Sequence, residues 1–483
     1  MLRRTLPLIV STAVFALSGY AVNVFLGRHL GPADYGIIGL LTSLMSGLNT
    51  MQVSGVPQAV SKFTAETPDR ADDLLVTGIR LQTWITTGLV VVCAGASPLL
   101  ARVFHDHRLV PYLLITALVF PGYGLFAVYA GYYNGLHRFG RQAIINASYA
   151  IAKVVLVIAL ALVFGLVGAL VGYALATVVA VVVAFRPAHR VEPYDSRLLL
   201  GLSAPLVVFS GLTFLQYSID LFTVKAAVHA PSATGYYVAA QNISVLPYLG
   251  LAALAQVVLP TVSRLMAEEG REATGKAVGQ ALRHLLLLLL PATALIVGSA
   301  PELLRLIFGS AYLPAVPTLR VMVVGYVAVT AFALLASVLN GAGRAKTAMT
   351  LAAIGVAVTL ALCLVLVPHH GTIAAAASMG AGAAVSAAGA GIAIWRLVAV
   401  SLPIVSVLRI GAAAGVVLGL AWITVPTWAL PLWWLGLLVL DGLLLLVTGE
   451  FTRSEKSQLG ALLRKVRPRE RAGTNPELRD PRD

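Results

Sequence analysis

Charge is scarce in this sequence. Only 11% of its 483 residues are Asp, Glu, Lys or Arg, against about 25% in a soluble domain. Hydrophobic residues make up 59%, and the mean hydropathy is +0.88. That balance excludes a soluble globular domain and implies a polytopic membrane protein. Cysteine is scarcer still. Cys93 and Cys363 each stand alone in an apolar run, so no disulfide framework or metal cluster follows. Two short histidine groups, His105-Asp106-His107 and His369-His370, fall in expected loops where solvation is the simpler role. The Gly-rich loop ending in Lys-Ser/Thr is missing, so direct ATP use is not expected, and no cofactor is implied. Acid is in short supply relative to base: 20 Asp and Glu against 34 Lys and Arg, a net charge of +14. The bases flank apolar runs and form no patch, which points to membrane orientation and away from nucleic acid.

What is present is a succession of apolar runs. Fourteen spans are expected, near 6–27, 36–58, 77–101, 110–133, 143–164, 166–185, 204–228, 236–260, 280–299, 317–340, 348–367, 372–395, 404–425 and 430–449. The N-terminal MLRRTLPLIVSTAVFALSGYA has the layout of a secretory signal. Its apolar run continues to Leu26, however, and it has a counterpart later in the chain, so it is read as the first span. No loop is long enough for a soluble domain. With the N-terminus in the cytoplasm, most of the 34 Lys and Arg fall on the inner side. Arg28, Arg102, Arg108, Lys225, Arg305 and Arg320 make up the outer set. Both termini are therefore expected inside.

The chain repeats itself. SPLLARVF matches APELLRLIF, pairing Pro98 with Pro301 and Arg102 with Arg305. YYNGLHRFGR matches VLNGAGRAK, pairing Asn134-Gly135 with Asn340-Gly341 and Arg138 with Arg344. Arg80 pairs with Arg283, and Gly165 with Gly371. The expected organisation is a six-helix bundle over 1–190, a second over 191–400, two extra spans over 401–450, and a basic, partly disordered cytoplasmic tail over 451–483. Six spans per copy set both copies the same way up, an arrangement that in transporters places the substrate between the halves.

The segment LGRHLGPADYG, residues 26–36, with the following VSKFTAE, resembles the opening of the polysaccharide transporter, or oligosaccharide flippase, family. Its superfamily, the multidrug/oligosaccharidyl-lipid/polysaccharide exporters, also holds multidrug-and-toxin exporters and lipid II flippases. The resemblance implies two six-helix bundles around a cavity, with undecaprenyl-pyrophosphate-linked oligosaccharide carried across the cytoplasmic membrane by alternating access. It implies a transporter, not an enzyme, working among membrane lipids beside a polysaccharide polymerase and glycosyltransferases. The last two spans resemble the extra pair that borders a lipid-tail groove in lipid II flippases. The alternatives are a lipid II-type flippase and a drug/cation antiporter. Span one carries Asn23 and no acid, which weighs against the antiporter. A membrane glycosyltransferase or polymerase would need a large outer loop bearing Arg or carboxylates.

An anionic headgroup entering a low-dielectric cavity calls for embedded cations. Lys153 lies deepest, inside span five; Arg80 and Arg283 sit at the inner ends of spans three and nine, and Arg28 and Lys225 at the outer ends of one and seven. For the last four, snorkelling to lipid headgroups is the alternative role. Asp220 either pairs with Lys225 or binds a coupling proton or Na⁺. Asp441 is a second ion-coupling candidate, a groove residue, or a partner for a cation on another helix. Gln52, Gln216, Gln241 and Asn242, with Asn49, Gln58 and Gln256, offer sugars both donors and acceptors. Their alternative role is hydrogen bonding between helices, worth about 0.6 kcal/mol each.

Overall fold

The computed structural model describes residues 2–187, 192–248, 261–266, 268–398 and 404–450, with side chains from residue 11 onward. The expected basic tail and Gln256 lie outside the described residues. The first six helices are α1 (Leu2–Ser54), α2 (Val56–Glu66), α3 (Ala71–Val103), α4 (Leu109–Ala117), α5 (Val119–Gly135) and α6 (Phe139–Ala184). Then come α7 (Ser196–Ala227), α8 (Ala233–Ser244), α9 (Gly270–Gly298), α10 (Ala300–Ile307), α11 (Val316–Gly341), α12 (Ala345–Leu397), α13 (Ile404–Ala421) and α14 (Leu430–Val447). No strand occurs among the described residues, and nine helical segments there are long and apolar enough to cross a membrane. The protein is an all-α polytopic membrane protein.

Several expected spans are joined through a single glycine. Spans one and two lie in α1, five and six in α6, and eleven and twelve in α12. Gly165 (φ 56°, ψ −133°) and Gly371 (φ 62°, ψ −142°) share one backbone conformation, which a residue with a Cβ rarely adopts. Past Gly165 the helix doubles back, so that Gly172 lies against Val157. Past Gly371, Gly382 likewise meets Thr359. With no Cβ on the small residue, the two arms of each hairpin approach closely, as membrane helices must when they associate by packing.

A second pair of matched features follows α5 and α11. After α5, Leu136, His137 and Arg138 donate backbone N–H groups to Tyr132, Asn134 and Tyr133. After α11, Ala342, Gly343 and Arg344 do the same to Val338, Asn340 and Leu339. His137 and Gly343 hold positive φ in these turns, at 55° and 73°.

The largest apolar core runs from α1 (Leu26, Ile38, Leu41) through Tyr237 of α8 to Met322 and Val323 of α11. It welds α1–α6 to α7–α12 at the end of the molecule bearing the α3–α4 loop. There Gly36 of α1 abuts the backbone of Gly235, and Gly235 abuts the carbonyl of Pro32. Helices α13 and α14 dock on α9, where Leu295, Val417 and Leu437 share a core and the Trp434 indole donates to Ser299 Oγ at 3.1 Å.

Candidate functional site

A cavity of about 720 Å³ lies between α1 and α6 on one side and α7 and α8 on the other. Its walls are aromatic (Phe15, Tyr20, Tyr123, Tyr149, Tyr173, Phe214, Tyr217) and polar without charge (Asn23, Asn49, Gln241, Asn242 and several Ser and Thr). Lys153 is the one charged residue in this lining, among the described residues. A smaller space of about 300 Å³ continues past Tyr217, Gln241 and Asn242 to Tyr248 and Tyr326. On the other side Phe15 and Tyr123 are shared with a vestibule of about 600 Å³ inside the α1–α6 group. That vestibule is lined by Gln58, Asn134, Gln142 and Asn146 and reaches Lys62.

Lys153 is only 5% exposed. It projects from the middle of the first arm of α6, before Gly165, with Nζ 4.8 Å from the Phe15 ring centre and 5.6 Å from that of Tyr149. Those two rings stack on each other at 5.5 Å. The ammonium lies over Gly19, where a Cβ would stand in ordinary contact with Nζ at 3.6 Å. No carboxylate lies within ion-pairing distance of it among the described residues. Ring faces attract the cation, yet a buried charge without a counter-ion is costly and favours an anionic visitor.

The amides are partly committed. Gln241 Nε2 donates to the Tyr217 carbonyl at 3.1 Å, and Asn242 Nδ2 donates to Tyr35 Oη and to the Val238 carbonyl. Asn23 Nδ2 donates to the Gly19 carbonyl. Gln52 is buried behind the cavity wall in a cluster that sequence reasoning missed. Gln82 Nε2 donates to Gln52 Oε1 at 3.0 Å, Thr86 Oγ1 reaches the same oxygen at 3.3 Å, and Gln52 Nε2 reaches Asn49 Oδ1 at 3.4 Å. The available signal was the spacing of Gln82 and Thr86, one turn apart in an apolar helix.

The remaining expected site residues lie elsewhere. Arg80 is exposed on α3, and Gln216 is half-buried on α7; neither lines the cavity. Arg28 donates Nε to the Ile307 carbonyl at 2.8 Å and Nη2 to that of Leu306. These are carbonyls left without partners at the C-terminus of α10. Beside it, Tyr312 Oη donates to the Gly27 carbonyl at 2.7 Å. Lys225 pairs with Asp106 at 3.0 Å and not with Asp220, because the loop after α3 folds over the end of α7. Asp106, expected to be a solvated loop residue, also accepts from Arg108 Nε at 3.2 Å. Burial works against the Asp106 charge, but hydrogen bonds from Arg108 and Lys225 outweigh it and hold the carboxyl below its ordinary range.

Asp220 is 2% exposed and accepts from Tyr237 Oη at 2.5 Å and from the Leu221 backbone N–H at 2.8 Å. Arg283, expected to meet substrate, is buried against Glu450 instead, with Nε–Oε1 at 2.6 Å and Nη2 to the Glu450 carbonyl at 2.7 Å. Sequence reasoning did not single out Glu450, whose sign is an acid placed directly after the last apolar run. Asp441 is buried on the face of α14 that carries Leu437 and Leu445, and its Oδ1 has no hydrogen-bond partner among the described residues. No group of three or more metal-ligating side chains occurs among the described residues.

A sequence profile for a family described as polysaccharide biosynthesis protein matches residues 25–317. Uncharacterised proteins of Mycobacterium bovis and Mycobacterium tuberculosis are each 29% identical over 153 residues, 31% of this chain and 35% of each relative. The match thus spans about a third of the length of those curated relatives. Among solved structures, the lipid II flippase MurJ in an inward closed conformation superposes with a TM-score of 0.74 at 15% identity, covering 93% of this chain and 98% of that one. An inward-facing multidrug-resistance MATE family transporter of the MOP superfamily gives 0.69 at 18% identity, covering 80% and 98%. A MOP superfamily transporter from Pyrococcus furiosus gives 0.57 at 19% identity, covering 82% and 95%. At these identities the likeness establishes a shared fold.

Proposed function

Since the chain belongs to the polysaccharide biosynthesis protein family and has the fold of MOP superfamily transporters, we propose that it is a flippase for lipid-linked oligosaccharide. The observation that carries this reading is the large cavity in which the buried Lys153 is the one charged lining residue among the described residues. Rings stack on sugar faces, amides and hydroxyls bond sugar hydroxyls, and the ammonium holds an acidic group. The carrier that the sequence resemblance implies is undecaprenyl pyrophosphate, its tail remaining among membrane lipids while the headgroup enters the cavity.

Residues 1–190 and 191–400 act as two bundles that rock against each other. The shared torsions of Gly165 and Gly371 and the matched turns at Arg138 and Arg344 support that division. In the present conformation Arg28 and Lys225 hold the outer end shut, and opening there releases the glycan. The protein is placed in the cytoplasmic membrane with both termini inside, handing its cargo from glycosyltransferases to a polymerase. Asp220 serves ion coupling, its proton or Na⁺ exchange altering the bond to Tyr237, and Asp441 is a second position of the same kind. Arg283 is assigned to structure rather than to substrate.

An antiporter for cationic drugs is disfavoured by the sign of the charge in the cavity. The test is reconstitution of the full chain in liposomes with a fluorescent lipid-linked oligosaccharide in one arm and a cationic dye in the other. Protein-dependent flipping of the glycolipid is the expected result. Gradient-driven dye export that requires Asp220, with no flipping, would establish the antiporter.

A further inference from the structure

The vestibule beside the cavity holds the free amides that the cavity has few of. In the cavity, Asn23, Gln241 and Asn242 each already donate to the protein. In the vestibule, the side chains of Gln58 on α2, Asn134 on α5, and Gln142 and Asn146 on α6 make no hydrogen bond to the protein among the described residues. Gln142 Oε1 is buried there without a partner. We propose, resting on the flippase reading, that the vestibule is a second glycan subsite, which binds uncharged sugar units of the cargo beyond the acidic link held at Lys153.

Helix α6 joins the two spaces. Gln142, Asn146, Tyr149 and Lys153 follow one another at spacings of four, three and four, on one face of its first arm. The first two line the vestibule and the last two the cavity. The stripe is about 16 Å long, so a glycan anchored at Lys153 needs more than one ring to reach Gln142. The passage between the spaces is aromatic. Phe15 and Tyr123 belong to both, and the Tyr149 ring meets theirs at 5.5 and 5.7 Å. Such rings suit the apolar faces of sugars, and the amides beyond them offer both a donor and an acceptor to each hydroxyl. A buried amide oxygen without a donor is costly, and rotation of the Gln142 amide toward the vestibule lets a sugar hydroxyl supply one. The charge at the mouth is balanced within the protein. Lys62 Nζ stands 3.8 Å from Glu66 Oε1, with both side chains about half exposed, and 5.2 Å from the Phe63 ring centre. An exposed pair of this kind is weak and adds no net charge, so the vestibule fits hydroxyl-bearing units rather than a second anion.

The test is binding to the full-length protein in nanodiscs of two fluorescent probes built on one short polyprenyl pyrophosphate. One carries a single neutral hexose, and the other a neutral linear tetrasaccharide that begins with the same hexose. The native protein is expected to bind the tetrasaccharide probe at least about tenfold tighter, the worth of one or two added hydrogen bonds. Gln142→Leu combined with Asn146→Leu should bring the two probes within about twofold of each other. Gln58→Leu, at an exposed position on a different helix, should narrow the gap in part, and it reports on the subsite even where the double variant fails to fold. Lys153→Met should weaken both probes by a like factor and leave their ratio in place. Equal binding of the two probes by the native protein, or the full preference retained in every folded vestibule variant, overturns the subsite and leaves the flippase reading standing. Binding of neither probe by the native protein overturns both.

Discussion

Lys225 Nζ lies 3.0 Å from Asp106 Oδ2, joining the end of α7 to the loop between α3 and α4 across the seam of the molecule. Both side chains are nearly buried, at 12% and 11% exposure, and Arg108 adds a second cation on the same carboxylate. A hydrogen bond to a charged group contributes about 1.5–3 kcal/mol. Asp106→Asn should therefore shift the balance from shut toward parted at the end bearing the α3–α4 loop by roughly tenfold or more. Spin labels at His107 and Ala230, with Cys93 and Cys363 replaced by Ala, should report one short distance in the parent and an added longer population in the variant. Identical distributions would remove the latch from the account.

The same pair fixes a pH dependence. The Asp106 carboxyl is held below its ordinary range, so its contribution is fully present above the unfolded value of about 3.9. It is lost as pH falls through the depressed folded value. The label distance should stay constant from neutral pH down to about pH 5 and lengthen only below about pH 4. Lengthening on mild acidification to about pH 6 would show that another group governs the seam.

Arg283 and Glu450 make the second tie, between α9 and the turn that follows α14. With Arg283 at 9% and Glu450 at 1% exposure, the pair is buried, and breaking a buried pair costs up to about 3–5 kcal/mol. Arg409 Nη1 stands 3.9 Å from the other Glu450 oxygen, so the same carboxylate serves two cations. Glu450→Gln should lower the thermal midpoint in detergent by several degrees. Arg283→Leu combined with Glu450→Leu should recover most of it, because replacing both ions by apolar groups is often neutral. A double variant no better than Glu450→Gln alone would contradict this.

Gly235 marks where the end bearing the α3–α4 loop is packed shut. A side chain there meets the Pro32 carbonyl, so Gly235→Val should hold the two groups of helices apart. In the label experiment this variant should populate the longer distance even with Asp106 intact. A native distribution would mean that the backbone contact is not what limits closure.

The helices and the deep lysine were legible in the sequence because each depends on local pattern. An apolar run of membrane length is a helix wherever it lies, and a cation in the middle of one, Lys153, has nowhere to snorkel. Gly165 and Gly371 announced a repeat, though not that each would fold two spans into one doubled-back run. What was not legible depends on partners far away along the chain. Arg28 answers carbonyls 278 and 279 residues on, Lys225 an acid 119 residues back, and Arg283 an acid 167 residues on. Seen singly, each is a cation at the end of an apolar span, and lipid headgroup, substrate and protein acceptor are equally good company for it. Gln82 was overlooked because the cluster that gives it meaning draws Gln52 and Asn49 from a different helix.

The central claim is that Lys153 receives the acidic part of a lipid-linked glycan. Its most direct test is the rate at which the full chain, reconstituted in liposomes, flips a fluorescent lipid-linked oligosaccharide, compared among the native protein, Lys153→Ala and Arg80→Ala. The account predicts that Lys153→Ala slows flipping by about tenfold or more, the loss of one charge-assisted contact. Arg80→Ala, outside the cavity, should stay within about twofold of native. Native-rate flipping by a properly folded Lys153→Ala would contradict it.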